Sequence, residues 1–116
     1  MDDEVFEKLV TEALDSLPAQ FAAKMENVGV TVEDAPTYYQ MRKLGLSPRS
    51  LLFGLYQGVP QTKRGNYGGV LPDKITIFKF PILAVCRTEE DVRAKVRDTV
   101  IHEIGHHFGL SDEQLK

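Results

Sequence analysis

The sequence predicts an α+β fold in which a small sheet packs on helices. Three observations predict it. Apolar residues recur at helical spacing from Glu4 to Leu17, apolar and polar residues alternate from Val28 to Glu33, and a long helical pattern follows Thr88 to near the C-terminus. With 116 residues there is room for a single core, so residues 1–116 are expected to form one domain.

The first helix is predicted by Val5, Phe6, Leu9, Val10, Ala13, Leu14 and Leu17, and Pro18 stops it because a proline ring clashes with a continuing helix. Pro18 also suits the first turn of a second helix, since a first-turn residue has no intrahelical use for its N–H. Phe21, Ala22 and Met25 carry that pattern to about Asn27. Val28, Val30 and Val32 alternate with Gly29, Thr31 and Glu33, the period of a strand with one covered face, before the turn-forming Asp34-Ala35-Pro36. Residues 37–50 are expected to be a loop, because Gly45 and Pro48 interrupt a stretch in which Tyr38, Tyr39 and Met41 are apolar.

A strand-like run resumes at Leu51 to Tyr56. Gln57 to Pro72, with Gly58, Pro60, Gly65, Gly68, Gly69 and Pro72, reads as a long connection that could border a binding site. Lys74 to Phe80 is a further β-prone run; Pro81 stops it and suggests a place at or near an exposed sheet edge. Thr88 then opens the last helix, with Asp91 three residues on as in a capping box and Glu89 and Glu90 at the positive end of the helix dipole. Val92, Val96, Val100, Ile104 and Phe108 follow at intervals of four and define its core-facing side.

Composition narrows the function classes. The chain is 42% hydrophobic and 27% charged, which is ordinary for a folded domain and argues against disorder. Its net charge is −3 and no basic cluster is longer than a pair such as Lys63 and Arg64, so no nucleic-acid partner is expected. No apolar run approaches the roughly 18 residues of a membrane span, and the acidic start Met-Asp-Asp-Glu does not resemble a secretory signal. The single cysteine, Cys86, reads as a small buried residue in a reducing, cytoplasmic compartment.

Chemistry concentrates at the end of the chain. All three histidines lie within His102-Glu103-Ile104-Gly105-His106-His107. Residues four apart on a helix stack about 40° from each other, so His102 and His106 can present imidazole nitrogens to one zinc ion. Glu103 lies too far around the helix to chelate easily, yet close enough to hold a water as general base. Zinc would bring the pKa of that water towards about 7, and Glu103 would take its proton and later pass it to the leaving amine. A third ligand is required. Gly109 permits the left-handed turn that ends a helix and would swing Asp112 back to the ion. Glu113 is the alternative third ligand. His107 lies about 100° around from His106 and cannot share its ion, which leaves it as a packing or surface residue or a substrate contact. A chance His-Glu-x-x-His in a chain of this length is of order one in a few hundred, before Gly109 and Asp112 are counted.

The run from His102 to Asp112 resembles the zincin metallopeptidases, in the form His-Glu-x-x-His-x-x-Gly-x-x-Asp, which follows the metzincin pattern with Asp in place of the last His. Length and layout resemble the small bacterial minimal zincins. The resemblance implies a mixed sheet with the zinc-binding helix at the C-terminus and an edge strand lining the cleft, paired there with an extended peptide or unfolded protein substrate. By chain order Lys74 to Phe80 is the candidate edge. Metzincins carry a methionine turn after the zinc helix, whereas Met1, Met25 and Met41 all precede it here. The expected activity is therefore zinc-dependent peptide hydrolysis in an open cleft. The alternative is a zinc-binding module without turnover that acts as a binding or regulatory protein.

Overall fold

The computed structural model describes residues 1–58 and 72–109. Among them the chain runs α1 (Asp3–Asp15), α2 (Ala19–Lys24), β1 (Val28–Glu33), α3 (Tyr38–Lys43), β2 (Gly54–Gln57), β3 (Asp73–Phe78), α4 (Lys79–Ala84) and α5 (Glu89–Phe108). The three strands form one mixed sheet in the order β1-β3-β2. β1 runs parallel to β3, from Val28 opposite Asp73 to Glu33 opposite Phe78. β2 runs antiparallel to β3, from Gly54 opposite Ile77 to Gln57 opposite Lys74. No helix among the described residues is long and apolar enough to cross a membrane.

Local signals start and stop the long helices. The Asp2 side chain accepts the Val5 N–H at 2.9 Å and caps α1, with Asp3 and Glu4 following in the first turn. Thr88 and Asp91 form the expected reciprocal capping box on α5. These caps satisfy helix N–H groups that have no intrahelical partner.

The core lies between α1, α5 and the sheet. Phe6, Leu9, Val10 and Ala13 of α1 meet Val92, Val96, Val100 and Ile104 of α5, with Phe21, Ile75, Ile77 and Ile82 closing the same cluster. Each large apolar side chain buried there contributes about 1.5–3 kcal/mol. The one ion pair spanning α1 and α5 among the described residues, Arg93 to Glu12 at 3.3 Å, lies near the surface and is worth at most about 1 kcal/mol. Apolar packing therefore holds the two helices together. Lys79 is buried, and its Nζ reaches the exposed Asp3 carboxylate at 2.7 Å. Cys86 packs against the core, where burial, with the Asp91 charge as a lesser cause, pushes its thiol up.

Five expectations need correction. Residues 37–50 are not all loop: Tyr38–Lys43 is helical, capped by a Thr37–Gln40 box. Only Met41 is buried there, so no apolar periodicity announces this short helix. The β-prone run ends at Phe78, and Lys79 and Phe80 open α4, where Pro81 occupies the first turn and has no N–H to lose. β3 is the central strand and not an edge. Ile75, Thr76, Ile77 and Phe78 are all buried, the continuous pattern of a strand covered on both faces. On α5 the apolar stripe ends at Ile104, because Phe108 is 45% exposed and lies under the Lys24 ammonium. The second helix is also shorter than expected, ending at Lys24 before Asn27 turns the chain with a φ of 62°.

One close approach sets β2 against α5. A Cβ on Gly54 would lie 2.7 Å from the Thr99 methyl and 3.1 Å from the Thr76 carbonyl oxygen. Gly54→Ala is expected to destabilise the fold by about 1–3 kcal/mol through this overlap. Thr99→Ser removes that methyl group but not the Thr76 carbonyl, so adding it should recover part of the loss in denaturant unfolding. A Gly54→Ala protein as stable as wild type would contradict the packing.

Candidate metal centre

Three adjacent stripes of α5 divide the work of the helix. Val92, Val96, Val100 and Ile104 face the core. About 100° around, Thr99, Glu103 and His107 face β2. A further step around, Asp98, His102 and His106 face outward. Burial follows the same order: Ile104 is buried, Glu103 half-buried, and His102 and His106 exposed.

The two outward rings have centroids 6.2 Å apart and planes at 80°. The Nδ1 of His102 lies 2.9 Å from the backbone carbonyl of Asp98. A carbonyl only accepts, so Nδ1 carries the hydrogen, and in the neutral ring Nε2 keeps the lone pair. Metal-binding histidines are commonly oriented by a second bond of this kind.

Glu103 points the other way. Its Oε1 accepts the backbone N–H of Tyr56 at 3.0 Å, which ties the carboxylate to β2. Burial pushes the Glu103 carboxyl up, opposed by the Tyr56 N–H and by the nearby His106 and His102. Beside it opens a cleft of about 320 Å³ between α5 and the chain leading into β2. Leu51, Leu52 and Phe53 form its apolar wall, with His102 and Glu103 at one end. The Lys95 ammonium sits 4.0 Å from the Phe53 ring centroid.

His107 remains exposed and lies against β2. Its ring stacks on Tyr56 with centroids 3.9 Å apart and planes at 19°. The Tyr56 hydroxyl donates to Asp73 Oδ2 at 2.7 Å. The sequence reading missed Tyr56 and Asp73, which lie within one short strand and at the start of another with no motif around them. The signal that could have found Tyr56 is its position two residues after Gly54, on the same face of the strand.

Gly109 ends α5 in the left-handed conformation, φ 69° and ψ 29°, as the motif required. Asp112 and Glu113 lie outside the described residues, as does most of the connection between Gln57 and Pro72. Among the described residues no three His, Cys, Asp or Glu side chains gather as an ion-holding group, and His102 and His106 are two of the three ligands expected.

A mixed sheet on helices, with a C-terminal helix bearing His-Glu-x-x-His beside a cleft, defines a zincin-type protein. The chain belongs to the zincin-like metallopeptidase family, whose model matches residues 25–116. Its fold is similar to that of a conserved hypothetical protein from Thermus thermophilus, with a TM-score of 0.58 and 23% sequence identity over 93% of this chain and 94% of that one. A search of curated proteins found no match.

The tautomer of His102 is directly observable. In metal-free protein under alkaline conditions, where imidazole is neutral, long-range proton–nitrogen NMR correlations should show His102 with its hydrogen on Nδ1. A hydrogen on Nε2 would mean that the bond to Asp98 is not formed.

Proposed function

We propose that this protein is a zinc-dependent peptidase in which His102, His106 and Asp112 hold the ion and Glu103 is the general base. The observation that carries the reading is the placement of Glu103. It lies one residue along from an imidazole with an outward Nε2, is tied to a strand amide, and stands at the end of the cleft. The donor set suits zinc, which takes imidazole nitrogen and carboxylate oxygen.

Zinc, when bound, supplies a Lewis acid that acidifies water and polarises a peptide carbonyl. The remaining work belongs to the chain. Glu103 takes a proton from the attacking water as its oxygen bonds to the carbonyl carbon, and returns it to the amine nitrogen as the C–N bond breaks. The Tyr56 N–H engages one carboxylate oxygen and leaves the second for this transfer.

The substrate is proposed to be a peptide or unfolded segment in extended form. The strand beside the cleft is β2, in place of the expected Lys74–Phe80. Phe78 N–H donates to the Phe53 carbonyl at 2.9 Å, so by alternation along the antiparallel ladder Gly54 directs its N–H and C=O away from β3. An extended peptide would pair there. A single cysteine supports a reducing, cytoplasmic setting.

One observation favours the second reading, a zinc-binding module without turnover. Glu103 is already engaged by the strand, so the same parts could hold an ion and a partner's strand and stop there.

Digestion of a diverse peptide library by zinc-loaded protein, read by mass spectrometry, separates the two. Wild type should cleave, and Glu103→Gln should retain zinc while losing about 100-fold or more of the rate. Cleavage by Glu103→Gln at the wild-type rate would overturn the assigned base. Stoichiometric zinc without cleavage would favour the binding module. His106→Ala and Asp112→Ala should each lose stoichiometric zinc in metal analysis, and a chelator should abolish cleavage until zinc is restored.

A further inference from the structure

Tyr56 belongs neither to the proposed ligand set nor to the proton transfer, yet several ties meet on it. Its backbone N–H holds Glu103 Oε1 at 3.0 Å. Its ring lies on the His107 ring at 3.9 Å, and its hydroxyl reaches Asp73 Oδ2 at 2.7 Å. The same Asp73 oxygen lies 3.9 Å from His107 Nε2.

These ties matter because the sheet holds this peptide group only from its β3 side, through the Leu55 carbonyl opposite Thr76, and close to the end of the ladder. Tyr56 stands opposite Ile75, one pair from the end of the β2–β3 ladder, where strands fray most readily. By the same alternation that turns Gly54 outward, the Tyr56 N–H points away from β3 and towards Glu103. Side-chain contacts therefore add to the ladder in locating the donor that orients the base. The stack also reaches α5 at His107, the residue after His106, and so fixes the rotation of the last helical turn.

We propose that Tyr56 is a positioning residue. Its ring on His107 and its hydroxyl on Asp73 lock the end of β2 to α5, so that its backbone N–H holds the Glu103 carboxylate in the orientation proton transfer needs. The assignment rests on the peptidase reading for its catalytic consequence, and on geometry alone for the lock.

The test uses the full chain and two readouts. The first is hydrogen exchange at the residue-56 amide in metal-free protein, with Glu103→Ala setting the rate when the bond is absent. Tyr56→Leu and His107→Ala should exchange about tenfold faster than wild type, the equivalent of one lost hydrogen bond. Tyr56→Phe, which keeps the stack and loses only the hydroxyl bond, should fall between, and His107→Phe should restore most of the protection. Amides of Val96 and Val100 should keep their wild-type rates, which shows that the core is intact. The second readout is steady-state cleavage by zinc-loaded protein: Tyr56→Leu should lose about 10- to 100-fold in kcat with KM and zinc content unchanged. Wild-type exchange at residue 56 in Tyr56→Leu and His107→Ala, or wild-type kcat in Tyr56→Leu, would overturn the proposal. If the wild-type protein cleaves no peptide, the peptidase reading falls and the exchange rates alone decide the lock.

Discussion

The close approach of β2 to α5 is the constraint on which the rest of the site depends. Only a residue without a Cβ fits between the Thr99 methyl and the Thr76 carbonyl, and Gly54 is that residue. Two residues further along, the strand is then near enough for the Tyr56 N–H to reach Glu103 and for the Tyr56 ring to lie on His107. A displacement of even about 1 Å would break the first contact, because hydrogen bonds weaken quickly beyond roughly 3.5 Å. The site is thus governed by a helix-to-strand distance as much as by its histidines.

That distance is stable because α5 is anchored where nothing reactive happens. Its first turn is capped by Thr88 and Asp91, and its middle is clamped by Val92, Val96, Val100 and Ile104 against α1 and the sheet. The reactive side chains project from the half of the helix that remains. A small scaffold gains from this division, since one rigid rod supplies core, strand contact and outward histidines without further elements.

The parts legible in the sequence are those governed by local rules. The amphipathic run in α1, the valine alternation of β1 and the Thr88 cap each depend on residues close in the chain, and each element lies where the pattern put it. The histidine spacing is legible for the same reason, since helical geometry alone puts His102 and His106 on one face. Strand order is not legible. Pro81 points to an edge for Lys74 to Phe80, although the unbroken burial of Ile75 to Phe78 is the mark of a central strand. Proline after a strand is equally compatible with the first turn of a helix, and the sequence does not choose between them. The helix at Tyr38–Lys43 escapes notice because its tyrosines face solvent, which leaves only the Thr37–Gln40 cap as a signal. Tyr56 and Asp73 escape because their significance lies in pairings 17 residues apart in the chain, beyond any local pattern.

Electrostatics explain why the helix needs a strand beside it. The end of a helix carries partial negative charge, so a cation near the last turn of α5 is favoured there and a carboxylate is not. His106 sits in that turn as an uncharged donor when it offers a lone pair, and an ion held by it would interact well with the helix end. Glu103 lies before the last turn, and burial disfavours its charge, so it needs a compensating donor. The Tyr56 N–H, delivered by β2 from outside the helix, is that donor. A helix carrying His-Glu-x-x-His at its C-terminal end therefore does better with a strand edge alongside it, and the antiparallel β2, held close by Gly54, meets that requirement.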